Sequence, residues 1–192
     1  MADIPGIRFA GSPDVDRARL PEAHVRPRQE RGSQYLSWPS PGGGGTTSSS
    51  PAHHRAFADT KGMDMNTLAR WVWEGLELPG IASDYHFLLQ GAVEQLWSRR
   101  RSTPAGLQFV EIFAQLDLNL IEAVPQAVMV NSAKPSQGFF KIASVQTWMK
   151  LLEAEGALRE ALAVSQRAQR FGDDHRHEEL EAKVAALDAE AR

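Results

Sequence analysis

Three groups of side chains in this sequence are of types that can carry out chemistry. The first is the run DDHRHEE over residues 173–179, which places His175 and His177 among four carboxylates. Imidazole and carboxylate groups are ligands for zinc or nickel, but two histidines at i and i+2 near a helix start point in different directions. We therefore predict a solvated helix start, where acidic residues suit the helix dipole, and no metal or other cofactor.

The second group is the basic run of Arg99, Arg100 and Arg101, and the third is the pair of acids Glu111 and Asp117 in an otherwise apolar segment. Arginines can bind phosphate, and a buried carboxylate with a raised pKa can act as a base. These five residues support an alternative function, a small-molecule or phosphate-binding domain with a regulatory or enzymatic role. No residue is assigned as catalytic, because the usual nucleophile-elbow, zinc-protease and phosphate-loop motifs are missing, and a non-enzymatic role is favoured.

The composition restricts the classes of partner and compartment. The 192 residues carry a net charge of -3 and no cysteine, which excludes disulfides and thiolate chemistry. Phosphate binding depends on clustered Lys and Arg, so nucleic acid is not expected as a partner. No apolar run approaches the roughly 18 residues of a membrane span, and the first residues lack a secretory pattern. We expect a cytoplasmic protein with no membrane partner, and its excess of Arg over Lys is typical of a GC-rich bacterial genome.

The chain changes in character near residue 63. Residues 1–62 hold seven of the 11 prolines and eight of the 15 glycines, and such a segment cannot form long helices or bury much apolar surface by itself. We predict a disordered N-terminal tail over residues 1–62 and one helical domain over residues 63–192. Met63 and Met65 stand where the ordered pattern begins, so a misassigned start, with the true start at one of these two methionines, is a second interpretation.

Apolar residues recur at helical spacing from residue 64 onward. The segment 104–124 is apolar on two faces, which predicts a helix buried between neighbours. The fold class is therefore all-α, with no strand of any length. The spacing predicts about six helices, over residues 66–78, 84–101, 104–124, 138–156, 157–171 and 174–190.

Residues 142–175 resemble a single tetratricopeptide repeat. Apolar residues stand at the positions where the family packs its first helix, a glycine stands at the turn, and small residues stand on the second helix. Met149 and Asp173 depart from the pattern, where the family has a small residue and a proline. The resemblance covers this hairpin only, so the chain is either a degenerate repeat array or a compact helical bundle. The matching residues are Val145, Trp148, Leu152, Gly156, Leu158, Ala161 and Ala168.

The resemblance implies a protein–protein interaction module, an adaptor or scaffold. The first helix of such a repeat lines the concave groove, and the matching positions here are Gln146, Lys150 and Glu153. Trp71 and Trp73 cannot both face the core from one helix, so we predict Trp73 as a separate partner contact. The expected partner is a protein, a peptide or a second copy of this chain, and a structural dimer without any ligand is a further alternative.

Overall fold

Helices make up most of this protein. The computed structural model describes residues 1–29, 31 and 35–190. Within them lie seven α-helices and a small antiparallel sheet in the order β1-β2-β3, so the mostly helical prediction is confirmed, with one helix and one sheet more than expected. None of these helices is both long and apolar enough to cross a bilayer. The helices are α1 (Pro51–Ala56), α2 (Met65–Glu77), α3 (Ala82–Ser98), α4 (Leu107–Ala123), α5 (Ala143–Ala154), α6 (Leu158–Ala168) and α7 (Glu178–Glu190), and the strands are β1 (Arg28–Gln29), β2 (Leu36–Pro39) and β3 (Thr46–Thr47).

Local polar and glycine residues set several of the helix ends. The side chain of Asp64 caps α2 by accepting a hydrogen bond from the backbone N–H of Thr67 at 3.0 Å. Gly156 joins α5 to α6 with a φ of 77°, a conformation that glycine adopts without steric cost. Pro104 lies in a short 3-10 turn, so α4 begins at Leu107 and not at residue 104.

The hydrophobic core is built around α3, α4 and α5. Helices α3, α4 and α5 all pack against one another, and because α4 contacts two neighbours it is apolar on two faces. Helices α1 and α2 cover α3, α6 packs on α5, and α7 packs on α6. Each large side chain that is fully buried contributes about 1.5–3 kcal/mol. The buried residues of α3 and α4 include Tyr85, Leu88, Leu89, Val93, Leu96, Val110, Phe113, Leu118, Leu120 and Ile121.

In the part of residues 1–62 that is described, the structure does not show the predicted disordered N-terminal tail. Ala23, Trp38 and Ala52 are each no more than 3% exposed, and α1 packs against α2 and α3. Prolines and glycines prevent long helices in this segment, but they do not prevent its apolar side chains from packing against helices formed elsewhere. A start at Met63 or Met65 stays a prediction.

Two glycines allow α1 to lie close to the helices beneath it. A Cβ atom at Gly75 would lie 2.5 Å from Cδ2 of Leu88 and 3.3 Å from Cβ of Arg55, and one at Gly80 would lie 2.5 Å from Cβ of Ala52. All three distances are shorter than the roughly 3.5–4.0 Å of a favourable carbon contact. Any side chain at Gly75 or Gly80 would therefore push these segments apart.

The segment that resembles a tetratricopeptide repeat consists of α5, α6 and their turn. The two helices pack against each other, and Val145, Trp148, Ala161 and Ala168 are buried. Any pair of packed amphipathic helices buries residues at such positions. The resemblance, and the choice between a repeat array and a compact bundle, therefore stay predictions.

Candidate functional site in a cleft beside helix α5

The three residues predicted on α5 lie on one face of the helix and line a common cavity, which we call the α5 cleft. Gln146, Lys150 and Glu153 are spaced at i, i+4 and i+7, so their side chains leave the helix on the same side. The cavity has a volume of about 140 Å³. One water occupies about 30 Å³ in the liquid, so the α5 cleft has room for a few waters or for the end of one side chain. Its other lining residues are Met149, Asp174, His175 and His177.

The turn between α6 and α7 forms the wall of the cleft that faces α5. Gly172 has a φ of 150°, which lets the chain reverse direction just after α6, and a single 3-10 turn, Asp173–His175, follows. The hydroxyl of Ser165 on α6 donates a hydrogen bond to the carbonyl oxygen of His175 at 2.6 Å. This bond ties the turn to α6, and His175 in this turn is only 3% exposed.

Glu153 is the most enclosed charged group in the cleft. Its Oε1 lies 3.9 Å from Nε2 of His177, and its Oε2 lies 3.9 Å from Nζ of Lys183. These distances are too long for hydrogen bonds, so both oxygens retain the capacity to accept a hydrogen bond from a ligand. Lys150 is exposed at the rim of the cleft and forms no ion pair with another described residue.

Two imidazole rings in the cleft wall carry a nitrogen without a partner. Nδ1 of His175 and Nδ1 of His177 are buried and have no hydrogen bond to any described residue. Burial lowers the pKa of His175, against the smaller opposing effect of the Asp174 carboxylate. A neutral imidazole has one donor and one acceptor, so His175 presents unsatisfied hydrogen-bonding capacity. Within the part of the chain that the structure describes, no group of three or more His, Asp or Glu residues is placed to hold a metal ion.

We expect His175 to make the protein less stable in acid. In the unfolded chain His175 takes up a proton near its ordinary pKa of 6.5, whereas burial holds its pKa lower in the folded state. As the pH falls through about 6.5, the unfolded state binds more protons than the folded state, so the free energy of unfolding decreases. Urea denaturation should show that the free energy of unfolding decreases more between about pH 7.5 and about pH 5 in the wild type than in His175→Gln, which lacks this proton uptake. Equal losses in the two proteins would contradict this expectation.

Trp73 lies in a different part of the surface from the α5 cleft. Its ring is half-buried and packs edge-on against Phe113, with 5.0 Å between the ring centroids, and it lines a separate cavity of about 320 Å³ beside Ile112. Trp71 is covered by its own chain, since its Nε1 donates a hydrogen bond to the carbonyl oxygen of Arg55 at 3.1 Å and the Arg55 guanidinium lies 3.7 Å from its ring centroid. Both indoles are thus largely covered from within, and a partner contact at Trp73 stays a prediction.

The three arginines of the alternative site differ in the contacts that their side chains make. Arg99 donates a hydrogen bond to the carbonyl oxygen of Lys61 at 2.8 Å. Arg100 lies 4.3 Å from the ring centroid of Trp97 and donates to the carbonyl oxygen of the same residue at 2.9 Å, while Arg101 is exposed. Two of the three guanidinium groups are therefore engaged within the chain, which weakens the case for an anion site here.

The acids of the alternative site lie in opposite environments. Glu111 is exposed, whereas Asp117 is fully buried, with Oδ1 2.7 Å from Nδ1 of His86 and Oδ2 accepting a hydrogen bond from the Ser144 hydroxyl at 2.5 Å. This buried network joins α3, α4 and α5. The serine donates to the carboxylate and not to the imidazole, so the network lacks the nucleophile–base contact of an activated serine. Neither acid contacts the arginines at 99–101 among the described residues.

A second buried carboxylate ties the N-terminal segment to α3. Asp84 accepts hydrogen bonds from the Ser50 hydroxyl at 2.7 Å and from the backbone N–H of Ile81 at 3.0 Å, and it lies 3.1 Å from Nδ1 of His53. Sequence reasoning missed both networks, because their members are about 30 residues apart in the chain and no local pattern links them.

Comparisons with known proteins add no family to these observations. The chain matches no protein-family model, no curated protein and no solved structure. Its function is therefore argued from the site, because function resides in the chemistry of a site and not in the fold that carries it.

Proposed function

We propose that this protein is a non-enzymatic interaction module that binds a peptide or protein partner through the α5 cleft. The observation that carries the proposal is the convergence of Gln146, Lys150 and Glu153 with His175 and His177 on one cavity. At about 140 Å³ this cavity is smaller than the roughly 300–1,000 Å³ of a typical small-molecule pocket. Its size favours one side chain of a larger partner over a complete small ligand.

The lining of the cleft suits the anchoring of a partner side chain. Met149 contributes an apolar and adaptable surface, and Gln146 offers both a donor and an acceptor. Glu153 and Lys150 add one charge of each sign. Anchor pockets at protein interfaces combine a buried apolar contact with a few satisfied polar groups in this way.

The test uses the full chain as bait in an extract of the native host, with and without alanine at Gln146, Lys150 and Glu153. We expect the variant to retain at most about one tenth of the captured partner, which corresponds to a loss of about 1.4 kcal/mol. The variant and the wild type must have the same circular dichroism spectrum and thermal midpoint for the comparison to count.

A chemically matched control replaces one glutamine, one lysine and one glutamate outside the cleft. Gln115, Lys134 and Glu160 are exposed and do not line the α5 cleft, so their replacement by alanine should leave capture unchanged. Wild-type capture by the cleft variant would refute the proposal. If sedimentation equilibrium shows a dimer that only the cleft variant abolishes, then the partner is a second copy of this chain.

A further inference from the structure

We propose that the α5 cleft recognises a basic segment of its partner and takes up the end of one arginine or lysine side chain. This inference rests on the proposed function and names the chemistry of the partner. Three observations carry it: the acidic groove next to the cleft, the surplus of negative charge over both, and a carboxylate and a buried imidazole nitrogen at the cleft that have no hydrogen-bond partner among the described residues.

An acidic groove adjoins the α5 cleft and shares His177 with it. This groove is open, has a volume of about 720 Å³ and is lined also by Asp173, Glu178, Glu179 and Arg176. Arg176 is the only cation among these lining residues, and its guanidinium pairs with the Glu181 carboxylate at 3.1 Å and 3.3 Å. The carboxylates of Asp173, Glu178 and Glu179 form no ion pair with another described residue, so they remain able to attract a ligand.

The charges around the cleft and groove are predominantly negative. The residues that line both cavities, together with their ion-pair partners, include six carboxylates and three cations, which gives a net charge of -3. A concave surface of one sign concentrates ligands of the opposite sign. The carboxylates are Glu153, Asp173, Asp174, Glu178, Glu179 and Glu181, and the cations are Lys150, Arg176 and Lys183.

The interior of the cleft supplies an independent reason to expect a donor-rich ligand. His175 lines the cavity and is only 3% exposed, and its buried Nδ1 atom has no hydrogen-bond partner among the described residues. The Glu153 oxygens have only contacts of 3.9 Å. A guanidinium group has five N–H donors and no acceptor, so it would donate to the Glu153 carboxylate and to an imidazole nitrogen that carries no proton. A carboxylate ligand would find Lys150 but would be repelled by Glu153 and Asp174.

The binding test measures the fluorescence anisotropy of labelled hexa-arginine and hexa-glutamate peptides with the full chain. We expect hexa-arginine to bind more tightly than hexa-glutamate, and to bind more weakly as the salt concentration rises from about 50 to about 200 mM. Glu153→Gln together with Asp174→Asn should weaken hexa-arginine binding by about tenfold. Lys150→Glu, at the exposed rim of the cleft, should strengthen hexa-arginine binding several-fold, because this peptide has no acidic group for Lys150 to contact, and misfolding would not produce a gain.

The control variant combines Glu94→Gln with Glu160→Gln, which changes the net charge by the same amount at exposed positions outside the cleft. It should bind hexa-arginine nearly as well as the wild type, and the ring resonances of His175 and His177 should shift on binding. Equal weakening in both double variants would show attraction to the acidic surface in general and would overturn the inference. Preference for hexa-glutamate, or no binding of hexa-arginine, would also overturn it.

Failure of this inference is distinguishable from failure of the proposed function. If alanine at Gln146, Lys150 and Glu153 abolishes capture of the native partner but hexa-arginine does not bind, the cleft is an interaction site for a different chemistry. If hexa-arginine binds in the cleft but the alanine variant retains the native partner, the partner binds elsewhere and the proposed function is wrong.

Discussion

Replacement of Asp117 by alanine is expected to lower the free energy of unfolding by about 3–5 kcal/mol, the usual cost of removing one member of a buried polar or charged pair. Asp117 is fully buried and accepts hydrogen bonds from groups on both neighbouring helices, His86 on α3 and Ser144 on α5. Without the carboxylate, the imidazole Nδ1 and the serine hydroxyl lose their partners in a site that water does not reach. The other ring nitrogen of His86 already has no partner among the described residues, so the ring would be left without hydrogen bonds.

Urea denaturation measures this loss, with two comparisons that isolate the network. Asp117→Asn keeps an acceptor and nearly the same volume, so its free energy of unfolding should lie between that of the wild type and that of the alanine variant. Glu111→Ala alters an exposed carboxylate on the same helix, and its effect should stay within about 0.5 kcal/mol. A change below about 1 kcal/mol for Asp117→Ala would show that the network contributes little to stability.

Removal of residues 1–62 is expected to destabilise the remaining helices more than any single substitution. Asp84 would keep only the hydrogen bond from the backbone N–H of Ile81, because Ser50 and His53 lie in the deleted segment. Trp71 would lose both its contacts with Arg55, and the apolar face of α2 and α3 beneath α1 would become exposed to water. A buried carboxylate without donors and newly exposed apolar area are both costly.

Two measurements check this expectation. Thermal unfolding of residues 63–192 should show a much lower midpoint than that of the full chain, or no cooperative transition at all. In the full chain, a protease site inserted among Gly42, Gly43, Gly44 and Gly45, whose Cβ positions meet nothing within 4 Å, should allow cleavage without dissociation of the N-terminal fragment. An unchanged midpoint, or release of the fragment under native conditions, would instead support the disordered tail that the sequence predicts.

The helical part of the fold could be predicted well from local patterns. The apolar stripe from Tyr85 to Trp97 and the glycine at residue 156 mark structural features that depend on neighbours three or four positions away in the chain. Gln146, Lys150 and Glu153 are predicted as a group by the resemblance to a tetratricopeptide repeat, and their spacing puts them on one side of α5. The sequence does not predict the opposite wall of the α5 cleft, since the run DDHRHEE indicates a solvated helix start.

The sequence by itself determined that the protein is mostly helical, where most of the helices lie, and which residues share a face of α5. Only the tertiary structure decided that the described part of residues 1–62 packs against the helices, that Asp117 is buried beside His86, and that His175 and Glu153 line one cleft. Helical periodicity is a local property of the chain. The hydrogen-bond partner of a buried polar side chain depends instead on how segments about 30 residues apart pack together. Burial and hydrogen bonding therefore follow from the tertiary structure and not from local sequence patterns.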